Sequence, residues 1–315
     1  MKKFTKLALM GLTSAILIGC GGGSGGGDNP PNPTPTVTGL TEAKVNEFAS
    51  QVAKEEGCQY NLVNTTTDTT LDMSTVYTVV KAVHKGMQKE SLTVTTQETN
   101  VPSFPPSDCS NGSVDITVQG TTTIYTFNNY CTTQLIPETE FRANGTATQI
   151  KTSKGDQVTV NGDISLQGVN QNTGEVQDVS VSMSNLVIET TVGTATDPEE
   201  LRAVDVSADQ LILTDNTLHD TTTITNLSAH YDAQSGNLTF NTNVTTSDST
   251  VGTLKAEGDI NIENGTGNAS VTDIFGNIAS VVATEEEHVF SVRFNEKELG
   301  KMDCSMVENP DLPEE

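Results

Sequence analysis

The chain has no tryptophan, and aromatic residues make up only 4% of it. Platforms that stack sugars or bases are built from such rings, so carbohydrate and nucleobase binding are poorly supplied. Basic residues are scarce as well. Sixteen lysines and arginines face 41 aspartates and glutamates, for a formal charge of −25. This balance argues against electrostatic capture of nucleic acid or of an anionic lipid surface, and its plainest consequence is solubility. No Cys-x-x-Cys occurs, which counts against redox and zinc chemistry, and neither His-Glu-x-x-His nor a Gly-x-x-x-x-Gly-Lys phosphate loop is present.

Long hydrophobic runs are missing too. The longest, "LALMGLTSAILIG" from Leu7 to Gly19, follows the basic stretch "MKKFTK". At about 1.5 Å per helical residue it reaches about 20 Å, short of the roughly 30 Å of a bilayer core. It therefore reads as an export signal, residues 1–19, rather than a membrane span. Leu17-Ile18-Gly19-Cys20 resembles the lipobox of bacterial lipoprotein precursors. That resemblance implies diacylation of Cys20, cleavage before it, and a mature protein held by acyl chains. One chain binds marginally and two or more bind stably, at about 0.8 kcal/mol per buried methylene. Residue Gly21 stands where enteric-type lipoproteins carry an aspartate for inner-membrane retention, so the resemblance favours the outer membrane. Loss of Lys2, Lys3 and Lys6 with the signal takes the formal charge from −25 to −28.

Residues 20–40 read as a lipidated cysteine and a tether. "GGGSGGG" is a flexible composition, and "NPPNPTPT" is biased to extended polyproline II. Residues 41–315 read as a β-rich domain with N-terminal helices. Four cysteines remain, Cys58, Cys109, Cys131 and Cys304. In an exported chain this even number implies two disulfides among three pairings. Between Cys109 and Cys131 run "SVDITV" and "TTIYTF" around Gly120, a hairpin pattern that would bring the two cysteines face to face. Cys58–Cys304 then follows by elimination, and both bridges read as staples.

Two helical stripes come first. "TEAKVNEFASQVAKEEG" places Val45, Phe48, Ala49, Val52 and Ala53 on one face, with Thr41 as cap. "DMSTVYTVVKAVHKGM" places Val76, Val79, Val80, Val83 and Met87 likewise, although its β-branched residues need packing to hold a helix. From about residue 91 the period falls to two, as in Val114, Ile116, Val118 and in Val158, Val160, Ile164, Leu166. Turn signals recur at "TSKGD", "NQNTGE", "AQSGN" and "ENGTGN". Short loops between regular strands predict an antiparallel meander of roughly ten to fourteen strands. Three strands change phase midway: Val179, Val181, Met183 against Leu186, Ile188; Val204, Val206 against Leu211, Leu213; Ile224 against Leu227, Ala229, Tyr231. Each slip demands a bulge or a corner. The fold class expected is mainly β, a meander forming a curved sheet, sandwich or half-barrel, with two N-terminal helices. The stretch "VGTLKAEGDINIENGTGNASVTDIFGNIASVV" resembles β-rich exported bacterial proteins in its strand–turn texture, and no activity travels with that likeness.

No reactive constellation emerges, and no catalytic residue, metal ligand or cofactor is assigned. His219 and His230, with Asp220 and Asp232, are the nearest to a metal set, and surface histidines explain them as well. "DNTLHD" and "ENGTGN" offer oxygen ligands to calcium but lack EF-hand spacing. Ordinary turn chemistry accounts for them. The reading that results is an envelope lipoprotein of the periplasm or outer membrane, non-catalytic, with a binding or structural role. Its partners are the membrane and a protein or apolar ligand, without nucleic acid. The alternatives are a carrier of a lipid or other apolar ligand backed by the Val76–Met87 stripe, and a hydrolase of unknown substrate.

Overall fold

A computed structural model describes residues 36–55, 58–62, 106–136, 139–169, 176–194, 197–216, 220–246, 250–261, 264–286 and 288–304. The signal-like run 1–19, Cys20, the Val76–Met87 stripe, His219 and the "NQNTGE" turn lie outside them. Among the described residues there is one helix, α1 (Glu42–Glu55), and fourteen strands. The strands belong to a single antiparallel sheet in which sequence neighbours pair, as a meander requires. The exception is β1 (Gln59–Leu62), which pairs with the last strand, β14 (Lys297–Asp303). The chain divides into two compact units, residues 1–77 with 229–315, and residues 78–228.

In the first unit, β9 (Asn237–Thr246), β10 (Leu254–Asn261), β11 (Thr266–Asp273), β12 (Ile278–Ala283), β13 (Val289–Phe294) and β14 follow one another. The helix starts where its cap was expected: the Lys44 amide donates to Thr41 Oγ1 at 3.3 Å. Its apolar stripe is the stripe read from the sequence. Val45, Phe48, Ala49, Val52 and Ala53 are all buried against Leu254, Val271, Val281, Val292 and Met302. Strand periodicity supplies the other half of this core: β10 alternates Leu254, Ala256 and Ile260 inward with Lys255, Glu257 and Asp259 outward. One void remains between helix and sheet, about 20 Å³ and walled by apolar side chains. It has room for about one water and offers that water too few polar partners, so it is a packing defect of a dry core.

The Cys58–Cys304 disulfide closes this unit across a sequence separation of 246 residues, and seats β1 beside β14. Next to it the Tyr60 hydroxyl donates to Asn46 Oδ1 on α1 at 2.8 Å. Burial pushes this phenol up to about 12.

The second unit is built from β2 (Ser113–Gln119), β3 (Thr122–Ile136), β4 (Thr139–Thr152), β5 (Gly155–Val169), β6 (Val176–Thr194) and β7 (Asp197–Asp215). The β2–β3 hairpin turns at Gly120 in the left-handed region (φ 62°), and the Cys109–Cys131 disulfide joins its two sides. Strand β8 (Asp220–Asp232) continues the meander.

The phase slips are resolved by bulges. Between β5 and β6 the register shifts from Val160↔Leu186 to Gly162↔Met183, so β6 carries one extra residue at Asn185, whose φ is 52°. Strand β7 carries the same slip, because Ser184↔Gln210 and Val187↔Ser207 stay in step. Both phases therefore look the same way. Met183 and Leu186, and likewise Val206 and Leu211, share one apolar cluster. A matching bulge in β3 has Asn129 at φ 45°. Each of these two bulges is held by an asparagine on the neighbouring strand. Asn129 N–H donates to Asn144 Oδ1, and Asn185 N–H to Asn161 Oδ1, both at 2.7 Å.

The residues after those asparagines, Gly145 and Gly162, face each other across β4 and β5 with φ of 118° and 150°. A Cβ on Gly162 would stand 2.0 Å from the Asn144 carbonyl oxygen, and one on Gly145 would stand 2.2 Å from that of Asn161. Only glycine fits, on torsional and steric grounds together. Gly162→Ala is accordingly expected to lower unfolding stability by at least about 2 kcal/mol in urea titration. Gly120→Asn, at a turn with open space around it, costs less than about 1 kcal/mol by the same measure.

Candidate functional site

The region where residues 36–41 meet the body has the most organised polar chemistry of the described residues. It is assembled around Asp273, the last residue of β11, in the turn "DIFGN". The carboxylate is buried and both oxygens are used. Oδ1 accepts the backbone N–H of Phe275 (2.8 Å) and of Asn277 (2.9 Å). Oδ2 accepts the Asn277 side-chain amide (2.9 Å) and, across 233 residues of sequence, the Leu40 N–H (2.7 Å). One carboxylate thus folds its own turn and clasps the chain that leads into α1.

Desolvation opposes the charge on Asp273. The hydrogen bonds from Asn277, Leu40 and Phe275 outweigh it and hold the carboxyl below 3.8. A second set of bonds fixes the incoming strand. Thr38 and Gly39 donate to the Thr250 carbonyl at 2.7 and 3.2 Å. Lys44 Nζ caps Thr38 Oγ1, the Gly39 carbonyl and Thr250 Oγ1 at 3.1, 3.2 and 2.6 Å. Gly39 needs its φ of 74° and its missing side chain, since a Cβ there would stand 2.4 Å from Asp273 Oδ2. Leu40 is buried in the helix–sheet core, and Lys297 pairs with Glu42 at 2.8 Å just beyond it.

The other candidates are placed apart from this junction or resolve into turns. His230 is exposed on β8. Asp232 is held low by the backbone N–H of Gln234 and by the Ser235 hydroxyl, with His230 adding a smaller charge contribution. It organises the β8–β9 turn. In "ENGTGN", Asn264 Oδ1 accepts the Thr266 amide, and the Asn264 amide is itself bound by Oδ1 of the preceding Asn261, so those oxygens are engaged in turn bonds. In "TEEEH", Glu286 pairs with Lys301 at 3.1 Å. Among the described residues, no group of three or more His, Cys, Asp or Glu side chains is placed to hold a metal ion. No described helix is long and apolar enough to cross a membrane. Compared with protein-family models, curated proteins and solved structures, the chain gives no match.

The sequence reading treated "DIFGN" only as strand–turn texture. Its signal was available: an aspartate followed by two bulky apolar residues and Gly-Asn places those side chains at a hairpin tip, where turns are ordinarily polar.

The clasp makes the junction acid-sensitive. A carboxyl lowered by folding stabilises the fold fully above its unfolded value near 3.8 and loses that contribution as pH falls through the lower folded value. Hydrogen exchange at the Leu40 amide should accordingly lose protection below about pH 4 relative to buried strand amides. Asp273→Asn, which turns one acceptor into a donor facing the Leu40 or Phe275 amide, is expected to lose that protection at neutral pH. It should cost about 1–3 kcal/mol in urea unfolding.

Proposed function

We propose that the chain is an exported lipoprotein of the cell envelope, anchored at Cys20, whose β body is non-catalytic and acts by binding a partner or by a structural role. The observation that carries this reading is the pair of disulfides, Cys58–Cys304 and Cys109–Cys131, in a chain that begins with a signal-like run and a lipobox-like Cys20. Disulfides form and persist in oxidising compartments such as the periplasm or cell surface. The clasp at residues 38–40 adds a mechanical argument. A tether pulled from its N-terminal side loads Asp273, Thr250 and Lys44 before it reaches α1. The outer membrane is the face favoured by Gly21.

Anchoring is tested by Cys20→Ser in a bacterial host fed labelled palmitate. The wild-type chain should take up label, shorten by its first nineteen residues and sediment with membranes. The variant should stay unlabelled and retain its signal or be released. Unchanged processing and partition in the variant would remove the anchor reading.

A second reading, a carrier of a lipid or other apolar ligand in the hollow of a curved sheet, has its own support. In the second unit Val160, Ile164, Val181, Ile188, Val206, Leu211 and Leu227 are only half-buried on the face they share with Met183 and Leu186. The void beneath α1 in the first unit is by contrast of one-water size. Native mass spectrometry of gently extracted protein is expected to show a non-covalent apolar adduct on the acylated mature chain under this reading and the acylated mature chain alone under the first.

A further inference from the structure

Seven large hydrophobic side chains are exposed among the described residues, and three of them, Val37, Ile274 and Phe275, lie at the clasped junction. Val37 is 39% exposed, Ile274 62% and Phe275 59%. The other four, Leu62, Val118, Leu201 and Ile278, are spread over β1, β2, β7 and β12, as isolated surface apolar residues commonly are. The gathering is geometric. Val37 Cγ1 and Ile274 Cδ1 both lie over Gly252, 2.9 and 4.0 Å from where its Cβ would be, and the Phe275 ring lies over Gly39 at 2.6 Å from the equivalent position. Ile278 begins the next strand opposite Thr272, on the sheet face away from the buried Ala279 and Val281. Gly252 thus leaves room for Val37 and Ile274, and Gly39 leaves room for the Phe275 ring.

The hydrogen bonds of this tip do not use the side chains of Ile274 and Phe275. The turn is made by Asp273, Gly276 and Asn277, and the two intervening side chains contribute only their backbone to it. A contiguous exposed apolar group on an otherwise highly acidic chain marks a contact surface.

The position of the group selects its occupant. Val37 is two residues beyond residue 35, and residues 20–35, at most about 3.6 Å each when extended, keep it within about 60 Å of whatever holds Cys20. A surface that close is present at high effective concentration, so a weak contact suffices. The charge of −28 on the mature chain repels anionic headgroups, which leaves an apolar contact with a zwitterionic surface as the complementary one. We infer that Val37, Ile274 and Phe275 form an apolar wedge that enters the interfacial layer of a zwitterionic bilayer beside the lipid anchor. This rests on the anchor reading for proximity alone. With the turn held rigid by Asp273, Ile274 and Phe275 are presented without further ordering cost, and the acyl anchor and the wedge act as two membrane signals on one chain.

The missing tryptophan makes the test direct, because a single introduced indole reports its own position. The mature chain with Cys20→Ser, and hence without lipid, is prepared with Phe275→Trp and mixed with phosphatidylcholine vesicles, with and without brominated acyl chains. Emission should move to the blue and be quenched by the bromines, while a Val118→Trp control stays unchanged. Ile274→Ser with Phe275→Ser should weaken vesicle partition by about tenfold per side chain, with an unaltered far-ultraviolet spectrum. Phe275→Trp emission indifferent to vesicles, in this chain and in the lipidated one, would overturn the wedge. So would a blue shift that grows with protein concentration in the absence of lipid, which would give the cluster to a second copy of the chain. Failure of the anchor reading is read separately, from processing of Cys20→Ser in cells, since the vesicle assay needs no acyl chain.

Discussion

A β-strand nineteen residues long, as β6 and β7 both are, must keep its apolar side chains on one face over some 60 Å of ribbon. Every one-residue slip inverts that face, and twist accumulates along strands of this length. The rest of the structure depends on how this constraint is met. In the second unit it is met by an extra residue at Asn129 and Asn185, both in the left-handed region, with Asn144 and Asn161 on adjoining strands accepting the displaced amides. The Gly145–Gly162 pair lets β4 and β5 approach closely at the same level. Asparagine tolerates the left-handed conformation better than other non-glycine residues and also carries a carbonyl able to satisfy a freed N–H. That is why Asn and Asn-Gly, ordinarily turn signals, stand in the middle of these strands.

This explains what was legible in the sequence and what was not. The helix stripe from Val45 to Ala53 was legible because period 3.6 and a capping threonine coincide in one short stretch. The Cys109–Cys131 pairing was legible because a hairpin is local. The phase changes in β6, β7 and β8 were visible as parity, and parity cannot separate a bulge from a corner. The decision lies in cross-strand register, where Val160↔Leu186 gives way to Gly162↔Met183, a relation between residues distant in the chain. The clasp was illegible for the same reason: Leu40 and Asp273 lie 233 positions apart, and nothing in either neighbourhood names the other. Asn-Gly inside an alternating run reads locally as a hairpin turn, and the long strands override that reading through the partners on either side.

The two units meet the problem of covering a sheet differently. In the first, α1 lies on the sheet, and the side chains beneath it fall to a few percent exposure, as in Val52, Leu254 and Met302. In the second, the apolar cluster has three buried members, Met183, Leu186 and Ala208, ringed by half-buried valines, leucines and isoleucines. Burial is the dominant favourable term in folding, so per residue the first unit has the denser source of stability. The second relies more on long ladders and on the Cys109–Cys131 bridge. A body held this way keeps apolar side chains partly accessible on one of its sheet faces, and that is the physical basis for considering an apolar ligand there.

The acidity and the apolar junction belong to one argument. A net negative chain near a membrane is pushed off anionic headgroups, and the push acts on the whole body while screening limits it to about 10 Å at ordinary ionic strength. Apolar contact acts only where side chains meet the interface, and Ile274 and Phe275 project from a turn fixed by four hydrogen bonds to one carboxylate. Repulsion everywhere except at one rigid apolar tip orients a body, whereas an acyl chain on a long tether restricts only its distance. Because the same carboxylate accepts the Leu40 amide, the tip and the incoming strand cannot turn independently of each other. The tip is thereby coupled to α1, whose first turn follows Leu40 directly, and through α1 to the disulfide-closed core beneath it.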